Sequence, residues 1–271
     1  MIDYGLNSLA LITDLIPAQM DSRISAYQDY IQIQTPTQPD YFWGNLLVFR
    51  RSPRVGDFDL WREAYRKAFD RENPTFFTFA WDECCVDQTA VQPFVNAGFE
   101  LGIDITLVCS QPSLPPRFNE MVVVRPIVDE KDWAALPELH FNPNSPFPRE
   151  AQIGFIEKRM ESFRLLAEHG IGTRFGAFLD GKMVGELGVY HQDGLARFNE
   201  VVTHASHYRQ GICQTLVYQA SLHALKEFKA RQLVIVADDG YHAIQAYKKV
   251  GFKELEKNYS LMWYDKKVYG P

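Results

Sequence analysis

The stretch Asn199-Glu-Val-Val-Thr-His-Ala-Ser-His-Tyr-Arg-Gln-Gly-Ile-Cys-Gln214 runs a β-branched strand straight into a turn whose glycine, Gly211, opens a helix. A helix start leaves its first N–H groups without intrahelical partners and carries the positive end of the helix dipole, so such a turn can receive an anion, a pyrophosphate for instance. Arg209 adds a charge-assisted contact at the same point. Alone, a single glycine ahead of a helix is more often just a turn. The loop is neither a dinucleotide fingerprint nor a P-loop, because G-x-G-x-x-G and G-x-x-x-x-G-K-[ST] are both absent.

The elements around the turn carry an internal repeat. Ala90-Val-Gln-Pro-Phe94-Val-Asn-Ala-Gly98-Phe99 matches Ala243-Ile-Gln-Ala-Tyr247-Lys-Lys-Val-Gly251-Phe252 as A-x-Q-x-[FY]-x-x-x-G-F, at an offset of 153 residues. Each copy has an apolar strand before it, Phe76 to Trp81 or Leu233 to Ala237, and another after it, Ile103 to Cys109 or Tyr259 to Tyr264. In both, the glycine falls where a short helix ends, the left-handed position glycine fills without a Cβ penalty. Two related α/β units follow, joined by the proline-rich stretch Ser110 to Arg117, with the boundary placed near residue 118.

Within the second unit the pattern predicts a strand at 121–125 and a helix near Glu130 to Leu139, then a Pro/Asn-rich loop at 141–148 and a longer helix from Arg149 to His169. A hairpin turning at Asp180-Gly181-Lys182 comes next, then a strand from Leu195 to Thr203 and a helix from Cys213 to Lys229 with apolar positions including Leu216, Val217, Ala220 and Leu222.

Composition bounds the function classes. The formal net charge of −6 and pI near 5.7 speak against a nucleic-acid binder, which draws its affinity from basic surface. No run reaches the ~18 to 20 apolar residues that cross a bilayer, so no membrane role is expected, and a start without a basic leader reads as cytoplasmic. Cys84, Cys85, Cys109 and Cys213 have neither disulfide-framework nor zinc spacing, and the reading is reduced thiols and no metal.

The loop Tyr208-Arg-Gln-Gly211-Ile-Cys213, with Val201-Val-Thr203-His204 before it and Gly240-Tyr-His-Ala243-Ile-Gln-Ala-Tyr247-Lys-Lys-Val-Gly251-Phe252 after it, resembles the GCN5-related N-acetyltransferase (GNAT) superfamily. The family's loop reads [QR]-x-x-G-x-[GA] and its later motif N-x-x-A-x-x-x-Y-x-x-x-G-F; here Tyr208, Cys213 and Gly240 depart from it. The resemblance implies an α/β (α+β) fold: two GNAT-like units, each a mixed, mostly antiparallel sheet flanked by helices. It implies that acetyl-CoA, as co-substrate, is held by Tyr208, Arg209, Gln210, Gly211, Ile212, Cys213 and Gln214, with Gly240 and Ala243 of the later motif. Val201, Val202 and Thr203 take the place of the strand that holds the pantetheine arm, and Tyr247 that of the acid which protonates the leaving thiolate.

Glu200 is the candidate base, and a solvated strand glutamate is the competing reading. Strand alternation places Glu200 and Val202 on one face and Asn199, Val201 and Thr203 on the other. The first copy has Phe94 in place of Tyr247 and no glycine loop of this kind between Trp43 and Phe69, so it reads as a degenerate unit without a CoA site. Its cluster Tyr41, Phe42, Trp43 either lines a cleft wall or packs in a core. The expected activity is direct transfer of an acetyl group to a primary amine of a small molecule or peptide, by a monomer or homodimer. A non-catalytic acyl-CoA sensor is the alternative reading, and a scaffold without CoA a third.

Overall fold

The computed structural model describes residues 3–145 and 147–270; Pro146, one of the prolines of the 141–148 loop, lies outside them. The first half of the chain forms α1 (Leu9–Ala18), β1 (Arg23–Ala26), β2 (Tyr30–Gln34), β3 (Asn45–Phe49), α2 (Asp57–Phe69), β4 (Phe76–Trp81), α3 (Gln88–Asn96) and β5 (Glu100–Cys109). The second forms β6 (Val123–Pro126), α4 (Glu130–His140), α5 (Arg149–Glu168), β7 (Gly172–Leu179), β8 (Lys182–Gln192), β9 (Leu195–Thr203), α6 (Ile212–Lys226), β10 (Gln232–Asp238), α7 (Ile244–Val250), β11 (Lys253–Tyr264) and α8 (Lys266–Tyr269). This is the mixed α/β class expected, with strands mostly antiparallel.

The chain folds as two compact units: a central unit, Thr106–Leu255, and an N-terminal unit of the residues up to Ile105 together with those from Glu256. The sequence pattern places one boundary near 118 and leaves the last strand in the second unit; the contacts divide the chain elsewhere. The proline-rich stretch is tied into the central unit, where the Ser113 N–H donates to the Val250 carbonyl (2.8 Å) and the Asn119 N–H to the Thr215 hydroxyl (2.8 Å). From Glu256 onward β11 belongs to the N-terminal unit, pairing antiparallel with β4 from Ser260↔Ala80 to Tyr264↔Phe76.

The N-terminal unit has strand order β1-β2-β3-β4-β11-β5, with β3 and β4 parallel. Its core is aromatic: Trp61 of α2 stacks on Phe49 at 3.8 Å, and Phe94 of α3 meets Phe58 edge-on at 5.1 Å. Phe42 packs against Phe76, Tyr264 and Tyr269, the core alternative for that residue.

The central unit has strand order β5-β10-β9-β8-β7-β6, β5 contributing its last residues. The β7–β8 hairpin turns through Asp180 (φ 50°) and Gly181 (φ 76°), the two left-handed residues a tight hairpin requires. On α6 the residues Ile212, Leu216, Val217, Ala220 and Ala224 are buried, while Leu222, expected on the apolar face, is exposed. Both glycines of the repeat take the left-handed conformation at a helix end, Gly98 at φ 89° and Gly251 at φ 109°.

Candidate active site

Strand β9 departs from regular pairing on both sides. Against β8 the register runs Glu186↔Val202 and then Gly188↔Asn199, so β9 carries one extra residue between these pairs. Glu200 sits in this β-bulge with φ 51°, a left-handed conformation unusual for a non-glycine residue and favoured at bulges and functional sites. Against β10 the parallel register covers Leu195↔Gln232 to Arg197↔Val234 only. Beyond Arg197 a cavity of about 200 Å³ opens, lined by Phe198, Glu200, Val201, Ile235, Val236, Ala237, Asp238, Tyr241 and Tyr247. The bulge overturns the alternation expected for this strand: consecutive residues Glu200 and Val201 both line the cavity.

Tyr247 reaches the cavity from α7 and is itself 3% exposed. Burial, with Cys213 and Tyr241 nearby, raises its phenol above the ordinary value, so the hydroxyl keeps its proton at physiological pH. Glycine at 211 is the N-cap of α6 with φ 81°, and the first helical bond runs from the Thr215 N–H to the Gly211 carbonyl (3.0 Å). The N–H groups of Ile212, Cys213 and Gln214 precede that bond and have no acceptor within the helix. Before them, Arg209 also lies in the left-handed region (φ 64°), and Tyr208, Arg209 and Gln210 are exposed. The Gln214 side-chain oxygen is buried and lacks a hydrogen-bond partner, an acceptor that suits a ligand donor. Burial pushes the Cys213 thiol up to about 12, which keeps it a neutral thiol. Val202 and Thr203 remain paired with β8, opposite Glu186 and Gly185. Gly240 is left-handed (φ 84°) and Ala243 precedes the first residue of α7.

Behind Glu200 lies a buried charge cluster that the sequence reading did not find. Arg174, inaccessible to solvent, donates from Nε to Glu186 Oε2 (2.8 Å), from Nη2 to Glu186 Oε1, and from Nη1 to the Tyr190 hydroxyl (3.1 Å). His140 Nε2 meets Glu186 Oε1. Arg174 also reaches Glu200 Oε2 (3.5 Å) and Arg159 of α5 reaches Glu200 Oε1 (3.3 Å). Burial works against the charge of Glu186, but Arg174 and His140 overcome it and hold the carboxyl below its usual range. Ligand atoms of His140, Glu186 and Glu200 lie within 4.8 Å of one another. Arg174 already supplies the positive charge between the two carboxylates. A cross-strand signal existed, since Arg174 faces Gly188 and Glu186 faces Gly176, a diagonal pair of opposite charges inside two apolar strands.

The β9–β10 pair opens into a cavity that the buried Tyr247 lines. The sequence model of the Acetyltransferase (GNAT) family matches residues 133–252. Residues 133–252 are a GNAT-family domain. Among solved structures, the chain is similar to a functionally unknown conserved protein from Staphylococcus epidermidis, at 14% identity and TM-score 0.72, covering 96% of this chain and 98% of that one. It is also similar to a GCN5-related N-acetyltransferase from Kribbella flavida (17% identity, TM-score 0.65, 93% of each chain). A third is a GCN5-related N-acetyltransferase from Sphaerobacter thermophilus (14% identity, TM-score 0.56, 89% of this chain and 82% of that one). A search of curated proteins gives no match. At these identities the likeness establishes the fold, and the family match rests on residues 133–252.

The N-terminal unit holds a strand-loop-helix at the place in the repeat that corresponds to β9, Gly211 and α6. Gly56 is the left-handed N-cap of α2 (φ 97°), as Gly211 is of α6. The next residue is Asp57, 5% exposed, whose carboxylate accepts from the Arg54 N–H (2.7 Å) and from both terminal nitrogens of Arg51 (3.1 Å for the longer). This carboxylate in the first turn of α2 is thus bound by the loop that precedes the helix. Strands β3 and β4 stay paired to their ends, through Phe49↔Trp81 and the Asp82 N–H to the Phe49 carbonyl (2.9 Å), where β9 and β10 part. Phe94, in the place of Tyr247, is fully buried in the aromatic core.

Proposed function

We propose that this protein is an acetyl-CoA-dependent N-acetyltransferase that transfers the acetyl group directly to a primary amine of a small molecule or peptide. Membership of residues 133–252 in the GNAT family supports acyl-CoA-dependent transfer in general. The observation that carries the specific reading is the cavity between β9 and β10, lined by Glu200 and Val201 on one side and Tyr247 on the other.

The residues fit the co-substrate. Gly211, in a conformation a side chain would strain, lets the loop offer the N–H groups of Ile212, Cys213 and Gln214 to a pyrophosphate. Tyr208, Arg209 and Gln210 flank it, and Gly240 and Ala243 border the later helix. Val201, with Val202 and Thr203 next in the strand, takes the pantetheine arm where β9 leaves β10. The thioester supplies an activated acyl carbon. The amine nitrogen forms the new bond to that carbon, the C–S bond breaks, and Tyr247 Oη gives its proton to the departing sulfur. Burial keeps the phenol protonated but, by raising its pKa, also makes it a weaker donor, so the assignment rests on the place of Tyr247 in the cavity and on the basicity of the departing thiolate.

Glu200 is held by Arg159 and Arg174, so its charge is already compensated. In this reading Glu200 orients the acceptor and its proton leaves through water, rather than Glu200 acting as a free base. Cys213, a neutral thiol with no base in a recognisable relation to it, has no acyl-carrying role.

A screen of primary amines with acetyl-CoA, followed by release of free thiol, tests the assignment. Turnover on at least one amine is expected. Tight acetyl-CoA binding with no turnover on any amine would favour a sensing module instead.

A further inference from the structure

The loop ahead of α6 is held from outside the region that matches the family. We propose that Asn119 is a positioning residue for the donor's diphosphate, acting through the loop that ends at Gly211; the inference rests on the co-substrate reading above. Three contacts converge on this short segment. The Asn119 side-chain amide donates to the Gln210 carbonyl (2.8 Å), and its backbone N–H donates to the hydroxyl of Thr215 (2.8 Å), a fully buried residue of α6. A Cβ on Gly211 would lie 2.1 Å from the Arg117 carbonyl oxygen, so the segment's backbone packs directly on the glycine.

The consequence follows from where these ties fall. Gln210 is the residue before the N-cap, and Thr215 donates the first helical bond to Gly211. The two hydrogen bonds from Asn119 therefore clamp the chain on either side of the N–H groups of Ile212, Cys213 and Gln214. Arg209 and Gly211 both sit in left-handed conformations, which persist only when the surroundings over-determine them. Asn119 also accepts from the Met121 N–H (3.0 Å), which shapes its own turn. Residues 117–119 lie before the family match begins at 133, so this clamp comes from the segment that joins the repeats.

The carboxamide nitrogen and oxygen do separate jobs, and one substitution divides them. Asn119→Asp keeps an oxygen for the Met121 N–H and removes the donor to Gln210, setting a carboxylate against that carbonyl. The measurement compares acetyl-CoA with the acetyl thioester of N-acetylcysteamine, which has the reacting bond and no diphosphate. The parent's kcat/KM preference for acetyl-CoA over the truncated thioester is expected to fall about tenfold in Asn119→Asp, and similarly in Asn119→Ala, the size of one well-placed hydrogen bond. Thr215→Val, which removes the other anchor while keeping shape, should move the preference in the same direction. A change that lowers both donors in parallel, leaving the preference as in the parent, marks a merely structural residue and overturns the proposal. So does Asn119→Asp matching the parent. If the parent itself shows no preference for acetyl-CoA and no calorimetric binding of it, the co-substrate reading fails first, and this inference with it.

Discussion

At Tyr247 the environment and the assigned task agree. The ring is buried, its phenol is pushed above its ordinary value by burial, and it lines the cavity. Tyr247→Phe should lower kcat on the order of 10²-fold or more while leaving acetyl-CoA affinity unchanged, as calorimetry beside steady-state rates would record. A raised pKa keeps the phenol protonated through neutral and mildly alkaline pH, so no alkaline loss of rate from this group is expected below pH about 10. A substitution that weakens acetyl-CoA binding as much as turnover would make Tyr247 a wall of the cavity rather than its acid. Tyr247, Gly211 and Val201 stand out in the sequence because their spacing follows one chain direction. Glu200's orientation does not. Alternation predicts one face, and a single inserted residue in β9 moves it to the other.

Elements carry the electrostatics that single residues cannot. The Arg174–Glu186 pair joins β7 to β8, His140 at the end of α4 meets Glu186, and Arg159 on α5 joins through Glu200 of β9. Removing one partner leaves the other charged and buried, so Glu186→Ala should cost about 3–5 kcal/mol in denaturant unfolding. Glu186 has a lowered folded pKa, so its contribution is complete above the ordinary value of 4.5 and is lost as pH falls through the folded value. Asp57 behaves likewise: burial opposes its charge, but Arg51 and the Arg54 N–H hold it below 3.8. Unfolding midpoints should therefore drop steeply only below about pH 4.5, and a flat profile down to pH 3 would contradict both pairings. At the start of α6, Gly211→Ala forces a Cβ into the Arg117 carbonyl and strains φ, so acetyl-CoA binding should weaken by at least tenfold. The Arg174–Glu186 cluster escaped the sequence reading because its members come from five elements, and opposite charges across a sheet are visible only once the register is known.

On the scale of the whole molecule, the repeat reads as two units of which one is equipped. The motif pair around Phe94 and Tyr247 was plain in the sequence, and both copies end their helix on a left-handed glycine. The allotment of strands was not. A repeat makes the strands that follow each copy alike in pattern, so apolar alternation fits β5 and β11 to either ladder, and only pairing decides. In the N-terminal unit a buried Asp57 follows the glycine and is bound by Arg51 and the Arg54 N–H, β3 and β4 remain paired, and Phe94 stands in place of the phenol. Each of these differs from the GNAT domain at a place that the proposed transfer uses. One donor site per chain, in the GNAT domain, is therefore expected, and the direct test is calorimetric titration of the full chain with acetyl-CoA beside the Gly211→Ala variant. A stoichiometry of one per chain that is lost or strongly weakened in the variant is the expected result. Two sites, an unaffected variant, or no binding at millimolar ligand would contradict it.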